Sequence, residues 1–452
     1  MTMRRIDLQP LEPFTSDFID RTGAFNPGAL EAATAIIEQV RQDGDAALRA
    51  LTEKFDGVAI ENFRVPGEAI DAAMAEVDPD TLEALKHAAA QIRDFHERQK
   101  QSWFFAREDG AIVGSKVTPL ESVGIYVPGG RALYPSTVLM NALPAQVAGV
   151  ERIVCVTPPT KDGTLDAAIL AACKIAGVTE IYTVGGAQAV AALAYGTETI
   201  RPVAKITGPG NAFVAAAKKL VSGDVGIDMI AGPSEVCVVA DETADPRLVA
   251  IDLMAQAEHD PLAACYLVTF SDAYADAVEA AIQVHLADST RADITRTSLD
   301  DHGLIVVCTS MDQALEAVNV IAPEHLEMHV EGAMKYLGAI RNAGAIFLGA
   351  WTPEAVGDYV AGPNHTLPTG GTARYSSPLS VDDFVKKSSI IQYSPAALKN
   401  DARAVVQIAT HEGLWAHARS VALRLKALLD AEQASVAVSA AAGVEDGEAR
   451  GE

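Results

Sequence analysis

From about residue 123 onward, short β-branched runs alternate with alanine-rich stretches of helical spacing, joined by Gly or Pro turns. The strand-like runs include Ser-Val-Gly-Ile-Tyr-Val-Pro-Gly-Gly, Ile-Val-Cys-Val-Thr-Pro-Pro, Ile-Tyr-Thr-Val-Gly-Gly and Ile-Thr-Gly-Pro-Gly. Such alternation predicts a parallel sheet covered by helices. The pattern resumes after residue 235 with Val-Cys-Val-Val-Ala, Ala-Cys-Tyr-Leu-Val-Thr-Phe and Gly-Leu-Ile-Val-Val-Cys, separated by helices at about 246–257, 272–286 and 311–321. A second α/β unit follows from it, and two such open halves can enclose a cleft. Residues 27–101 and 380–430 carry helical periodicity, as in Ala-Ala-Thr-Ala-Ile-Ile-Glu-Gln-Val. Beyond residue 432 the Ala, Ser, Gly and Glu mixture offers little to bury, which predicts a disordered tail.

The chain has 452 residues, 49% of them hydrophobic, enough for more than one core. Its formal net charge of -25 and the lack of a basic stripe argue against nucleic acid, whose binding rests on Lys and Arg at phosphates. No apolar run is long enough to cross a bilayer, and Met1-Thr-Met-Arg-Arg-Ile-Asp lacks the apolar core of a secretory signal. The expectation is a cytoplasmic protein. Five cysteines, scattered singly, agree with a reducing compartment, and Cys155, Cys237, Cys265 and Cys308 sit in strand-like runs where each reads as a small buried hydrophobe.

Four patches carry candidate chemistry. Gln256-Ala-Glu-His259 closes a helical run and sets two metal-capable side chains three residues apart on one helix face. Gly357-Asp358 through Asn364-His365 and His411-Glu412 through His417 are polar segments hard to explain as core, and Pro323-Glu324-His325 places an acid beside an imidazole. Zinc takes His nitrogen and Asp oxygen readily, while Gln is an unusual ligand; the residue types are as compatible with ordinary polar structure as with a divalent cation. Glu324-His325 is an acid–base unit or a surface pair at a helix end. Glu327 and His329 alternate as on a strand and read as solvated. Three strand-to-helix junctions, Pro128-Gly-Gly130, Gly185-Gly-Ala-Gln188 and Gly208-Pro-Gly-Asn211, offer backbone amides to an anion, yet none is the dinucleotide fingerprint: Phe213 stands where its third glycine belongs. Plain tight turns and nucleotide binding both remain open. Ser234, in Ala-Gly-Pro-Ser-Glu, lacks a nucleophile-elbow pattern.

Taken together these residues make the chain resemble the histidinol dehydrogenases, NAD- and zinc-dependent enzymes that end histidine biosynthesis. The likeness spans about residues 20–428. It is carried by Gly-Ile-Tyr-Val-Pro-Gly-Gly, Pro-Ser-Thr-Val-Leu-Met-Asn, Val-Gly-Gly-Ala-Gln-Ala, Gly-Pro-Gly-Asn-Ala-Phe-Val, Ala-Gly-Pro-Ser-Glu, Gln-Ala-Glu-His-Asp, Ala-Pro-Glu-His-Leu-Glu, Asn-His-Thr-Leu-Pro-Thr and Glu-Gly-Leu-Trp-Ala-His. The resemblance implies one zinc per subunit, held by Gln256, His259, Asp358 and His417. It implies Glu324 and His325 as the acid–base pair. Ser234, His365 and Glu412 would contact the substrate L-histidinol, together with His325 and the zinc ligands, and Tyr126, Gln188 and Asn211 would contact NAD. It also implies a homodimer in which the C-terminal segment, with His417 and Glu412, completes the neighbour's site.

Pattern and resemblance give an α/β fold of two incomplete Rossmann-like parallel-sheet domains with helical N-terminal and C-terminal extensions. Residues 1–22 form an N-terminal arm; 23–123 with 236–378 a discontinuous domain bearing the metal and catalytic residues; 124–235 an NAD-binding domain; 379–430 a helical dimerisation segment; 431–452 the tail. The expected reaction is a four-electron oxidation through bound L-histidinaldehyde, by a hydrate rather than a thiohemiacetal, since no cysteine is committed to it. A related zinc and NAD dehydrogenase of another small alcohol, such as a sulfonated diol, a zinc hydrolase and a noncatalytic metal-dependent binding protein are the competing readings.

Overall fold

A computed structural model describes residues 3–19, 21, 27–99, 103–129 and 133–448. It divides into two compact units, one of Met1–Lys100 and Pro119–Val385, the other of Gln101–Thr118 and Lys386–Glu452. Among the described residues, no helix is long and apolar enough to cross a membrane.

The first unit contains two parallel sheets. One has five strands, in the order Glu180–Thr183, Arg152–Thr157, Ser122–Tyr126, Lys205–Thr207, Gly226–Ile227. The other has six, in the order Arg4–Asp7, Gly303–Val307, Ala264–Thr269, Glu235–Ala240, His325–His329, Ala345–Leu348. Setting the N-terminal edge strand aside, both follow one winding: the first strand in sequence lies in the middle, the next two run to one side and the last two to the other. This is a Rossmann-like order one strand short, and it places a topological switch point beside each central strand. Glu235–Ala240 and Ala264–Thr269 are buried at every position, as parallel strands covered on both faces require.

Helices Pro246–Ala257, Asp272–Leu286 and Met311–Ile321 form where the sequence places them, and each begins on a side-chain cap: Asp245 accepts from Arg247 N–H, Ser271 from Tyr274 N–H and Ser310 from Gln313 N–H. Helices Pro27–Asp56, Gly67–Glu76 and Pro79–Glu97 also form as expected, but they cover the five-stranded sheet rather than joining residues 236–378. Ile37 and Leu48 pack with Val154 and Leu193 in one core, and Leu85 and Ile92 with Val123 and Leu139 in another. The cause is local: Ala167–Ile175 and Gly186–Tyr195 are apolar nearly all round, so the helices flanking this sheet need a further layer outside them. The arm also differs from expectation, since Arg4–Asp7 pairs with the open edge of Gly303–Val307 and satisfies backbone groups that would otherwise lack partners.

The second unit holds a three-stranded sheet, ordered Val385–Gln392, Ile112–Pro119, Trp103–Ala106, and a hairpin of helices Pro395–His411 and Trp415–Glu448. Two expectations are corrected here. Val385–Gln392 is a strand, not a helix, because pairing with a segment distant in sequence overrides local periodicity. The last helix continues to Glu448 through most of the stretch read as disordered, where alanine, the best helix former, dominates; residues 449–452 lie outside the described residues.

At the switch point of the five-stranded sheet the backbones come close. Gly208 has φ of 107°, and a Cβ there would lie 2.2 Å from the Tyr126 carbonyl oxygen. Buried Lys218 donates to the Gly208 carbonyl at 2.9 Å and pairs with Asp228, whose carboxylate accepts the Gly208 N–H at 2.8 Å. Gly208→Ala is therefore expected to destabilise the fold by about 2–4 kcal/mol in urea unfolding, combining a left-handed φ with a backbone clash; a loss under about 0.5 kcal/mol would contradict this account.

Candidate active site

The amino ends of the six-stranded sheet gather the polar residues. Glu324 directly precedes the His325–His329 strand, and Glu235 opens the neighbouring strand with Ser234 just before it. Glu324 Oε2 accepts the Glu235 N–H at 3.0 Å, while the Glu235 carboxylate is paired with Arg21 of the N-terminal arm at 3.0 Å. Burial pushes the Glu324 carboxyl up to about 7, against the pull of His325 and the Glu235 N–H. His325 Nδ1 donates to the Glu235 carbonyl at 3.3 Å, and Nε2 lies 3.6 Å from Asp358 Oδ1. Burial disfavours its charge, but Glu354, Glu324 and Asp358 together raise the imidazole well above its ordinary pKa.

Two antiparallel crossings bring metal-capable donors to the same end. The Pro246–Ala257 helix runs back along the sheet and delivers Gln256 and His259; the Glu354–Tyr359 helix delivers Glu354 and Asp358. Ligand atoms of His259, Glu354 and Asp358 lie within 4.8 Å of one another. Gln256 is 0% exposed, yet neither its Oε1 nor its Nε2 has a hydrogen-bond partner. A buried amide left unsatisfied costs about 1–3 kcal/mol, so its oxygen is free to accept a ligand that the described residues do not supply. Asp358 keeps its charge: burial opposes ionisation, but contact with His325 holds the carboxyl below its usual range. Two carboxylates and an imidazole within 4.8 Å of one another suit zinc, with the Gln256 amide one helical turn from His259. His365 stands beside it, its Nδ1 donating to the Asp358 carbonyl at 3.0 Å, and burial keeps the ring neutral by lowering its pKa.

The glycine junctions lie at the carboxyl ends of the other sheet. Tyr126 is buried and its hydroxyl accepts the Gly186 N–H at 3.0 Å, with burial pushing that hydroxyl up to about 12. Gln188 is buried in the first turn of the helix that Gly186 opens, and Asn211 caps the Ala212–Val221 helix, its Oδ1 accepting from Phe213 and Val214 N–H. Tyr126 and the Gly208–Asn211 turn flank the switch point, where open α/β sheets bind ligands. Gly130 lies outside the described residues. His417 and Glu412 belong to the second unit, exposed at the turn between its two helices.

Several residues escape the sequence reading. Glu327 and His329 are not solvated: both are buried and paired at 2.9 Å, because both faces of this interior strand are covered. Glu354, Glu235 and Arg21 gave no signal beyond charge type, although an acid directly after Pro353 or Ser234 at an element start is a place to look. All five cysteines are buried and free.

Fold and site define an α/β enzyme built on two parallel sheets, with the adjacent Glu324 and His325 beside a cluster of metal-capable side chains. A family model described as histidinol dehydrogenase matches residues 20–425. The histidinol dehydrogenase of Geobacillus kaustophilus is 56% identical over 87% of this chain and 93% of its own length, and that of Bacillus subtilis 55% over 86% and 92%. The crystal structure of histidinol dehydrogenase from Elizabethkingia anophelis superposes with a TM-score of 0.88 at 36% identity, covering 94% of this chain and 98% of that one. The chain belongs to the histidinol dehydrogenase family and is an oxidoreductase.

Gln256→Leu keeps the volume and removes the orphaned amide. In the presence of a chelator it should stabilise the protein by about 1–3 kcal/mol in urea unfolding while lowering zinc affinity; a destabilised metal-free variant would show that the amide has partners of its own.

Proposed function

We propose that the protein oxidises L-histidinol to L-histidine through bound L-histidinaldehyde, using one zinc ion per subunit and NAD. Membership of the family supports histidinol oxidation in histidine biosynthesis. The observation that carries the finer reading is the buried, unpartnered Gln256 amide three residues before His259, whose ring clusters with Glu354 and Asp358 where Asp358 approaches His325.

Gln256, His259, Asp358 and His417 would hold the zinc, which supplies a positive anchor for the substrate's imidazole and amino nitrogens. NAD, placed by Tyr126, Gln188 and Asn211, supplies the two-electron acceptor for each oxidation. The chain's own residues move the protons. His325, through Nε2, takes the carbinol O–H proton as the alcohol becomes aldehyde. Glu324, poised near neutral pH, takes a proton from water so that its oxygen attacks the aldehyde carbon. His325 returns its first proton to the oxygen of this adduct, which completes the hydrate, and then takes a hydroxyl proton of the hydrate as the second hydride leaves and the carboxylate forms. Ser234, His365 and Glu412 hold the substrate in line.

The homodimer is part of the same proposal. The helical hairpin exposes Ile408, Leu414, Trp415 and Leu423, an apolar surface that a second subunit would cover, and it exposes His417 and Glu412 for use in that subunit's site. By division of labour, the five-stranded sheet holds NAD, the six-stranded sheet holds zinc and the acid–base pair, and the second unit dimerises. Five free, buried cysteines suit a reducing compartment, and we place the enzyme in the cytoplasm.

Two NADH should form per histidine, with formation abolished by chelation and restored by zinc; hydrolysis of some substrate without NADH would overturn the reading. Oxidation of added L-histidinaldehyde should rise with pH through about 7 as Glu324 loses its proton. Glu324→Gln should slow that half-reaction by about 10²–10⁴-fold and flatten its pH profile, with a smaller effect on the alcohol step; equal losses in both halves would remove Glu324 from water activation.

A further inference from the structure

Behind the metal donors lies a second polar cluster that the reaction leaves unused. Glu327 and His329 follow His325 at two-residue intervals along the His325–His329 strand, so the three side chains leave one face. His329 Nε2 is 2.9 Å from Glu327 Oε2 and 3.4 Å from Asp252 Oδ2. The other oxygen of Glu327, Oε1, accepts the Glu354 backbone N–H at 2.6 Å. Asp252, Glu327, His329 and Glu354 are all buried.

This cluster joins the three elements on which the site is mounted. Asp252 lies one turn before Gln256 on the same helix face. Glu354 opens the short helix that carries Asp358, and that helix has Pro353 at its N-cap with no side-chain cap, so Glu327 satisfies its first N–H. His329 sits between the carboxylates of Asp252 and Glu327 and binds one helix to the other across the strand that bears His325. The spacing of Asp252, Glu327 and His329 would itself admit a cation, but these groups hydrogen-bond one another, whereas the Gln256 amide bonds nothing. The cluster is a clamp rather than a second cation site.

We propose that Asp252, Glu327 and His329 are positioning residues that fix Gln256 and Asp358 at cation-binding distance, so that metal affinity is set partly by residues that never touch the metal. The proposal rests on the zinc reading above. Partners that orient metal ligands typically change affinity by about 10–100-fold when removed.

The test measures zinc affinity of the full-length protein by competition with a chromogenic chelator, alongside thermal unfolding and NAD affinity. Glu327→Gln and Asp252→Asn, each nearly isosteric, should bind zinc about 10–100-fold more weakly with NAD affinity unchanged, and cobalt-substituted Glu327→Gln should show a shifted visible spectrum. Ile206→Val, in the core of the five-stranded sheet, provides a control for stability loss alone and should keep wild-type zinc affinity. Zinc affinity within twofold of wild type in both folded clamp variants would overturn the proposal while leaving the zinc site standing, as would an equal affinity loss in the control. Wild-type protein that binds no zinc would remove the zinc reading itself and this inference with it.

Discussion

The organising constraint of this molecule is negative charge buried without enough positive charge beside it. Glu235, Glu324 and Glu354 are buried and Asp358 nearly so; His325 lies within 4.0 Å of Glu324, Glu354 and Asp358, while Arg21 pairs with Glu235. Isolated carboxylates cannot stay ionised at low dielectric; they take up protons or acquire a counter-charge. Glu235, Glu324 and Glu354 respond to burial with raised pKa values, and only Asp358, in contact with His325, is held low. The divalent cation proposed above at Gln256, His259 and Asp358 would supply the counter-charge the pocket lacks, beside the unpartnered amide. Glu324, His325, Glu354 and Asp358 are thus one electrostatic unit.

That unit sits on a sheet wound like its companion but used from the opposite end. In the five-stranded sheet the glycine junctions lie beyond the carboxyl ends of Ser122–Tyr126 and Lys205–Thr207, where diverging connections leave a crevice. In the six-stranded sheet the reactive residues lie at the amino ends of the corresponding two strands, Glu235–Ala240 and His325–His329. Returning helices make this possible, because each runs antiparallel to the strands and brings its last turn to their amino ends. Gln256 in the last turn of one such helix, His259 just past its end, and Asp358 on another reach this end of the sheet because of where these helices finish.

The sequence exposed most of this where chemistry is local. Asp245, Ser271 and Ser310 cap helices whose bounds were readable because cap and periodicity agree. Glu324-His325 and Gln256–His259 stood out because adjacent or helix-spaced polar residues are visible in one dimension; joining them to Asp358, and then to His417, required the family likeness. What stayed hidden is non-local. Glu327 and His329 alternate as solvent-facing strand residues do, and only the helix bearing Asp252 reveals the face to be covered. Val385–Gln392 reads as helix until Ile112–Pro119 supplies a strand partner. The helix Ala292–His302 was missed because charge dominates it, and only Thr295, Ser298 and Leu299 are buried. The outer placement of the N-terminal helices depends on how thinly alanine-rich helices cover a sheet, a packing property with no sequence signature.

Oxidation of an aldehyde to an acid requires an oxygen or sulfur nucleophile to add first, and the pocket decides between them. A thiol route needs a thiolate within reach of the substrate, yet every cysteine here is buried in a core, and burial pushes Cys308 up to about 12 and Cys237 and Cys265 higher still. A thiol held protonated inside a sheet cannot attack. Glu324, by contrast, is pushed up to about 7 at the amino end of its strand, its Oε2 3.9 Å from Nδ1 of the adjacent His325 imidazole. With no thiolate available, the mechanism proposed above takes water as the nucleophile, with Glu324 as its base and His325 as the base for the carbinol proton.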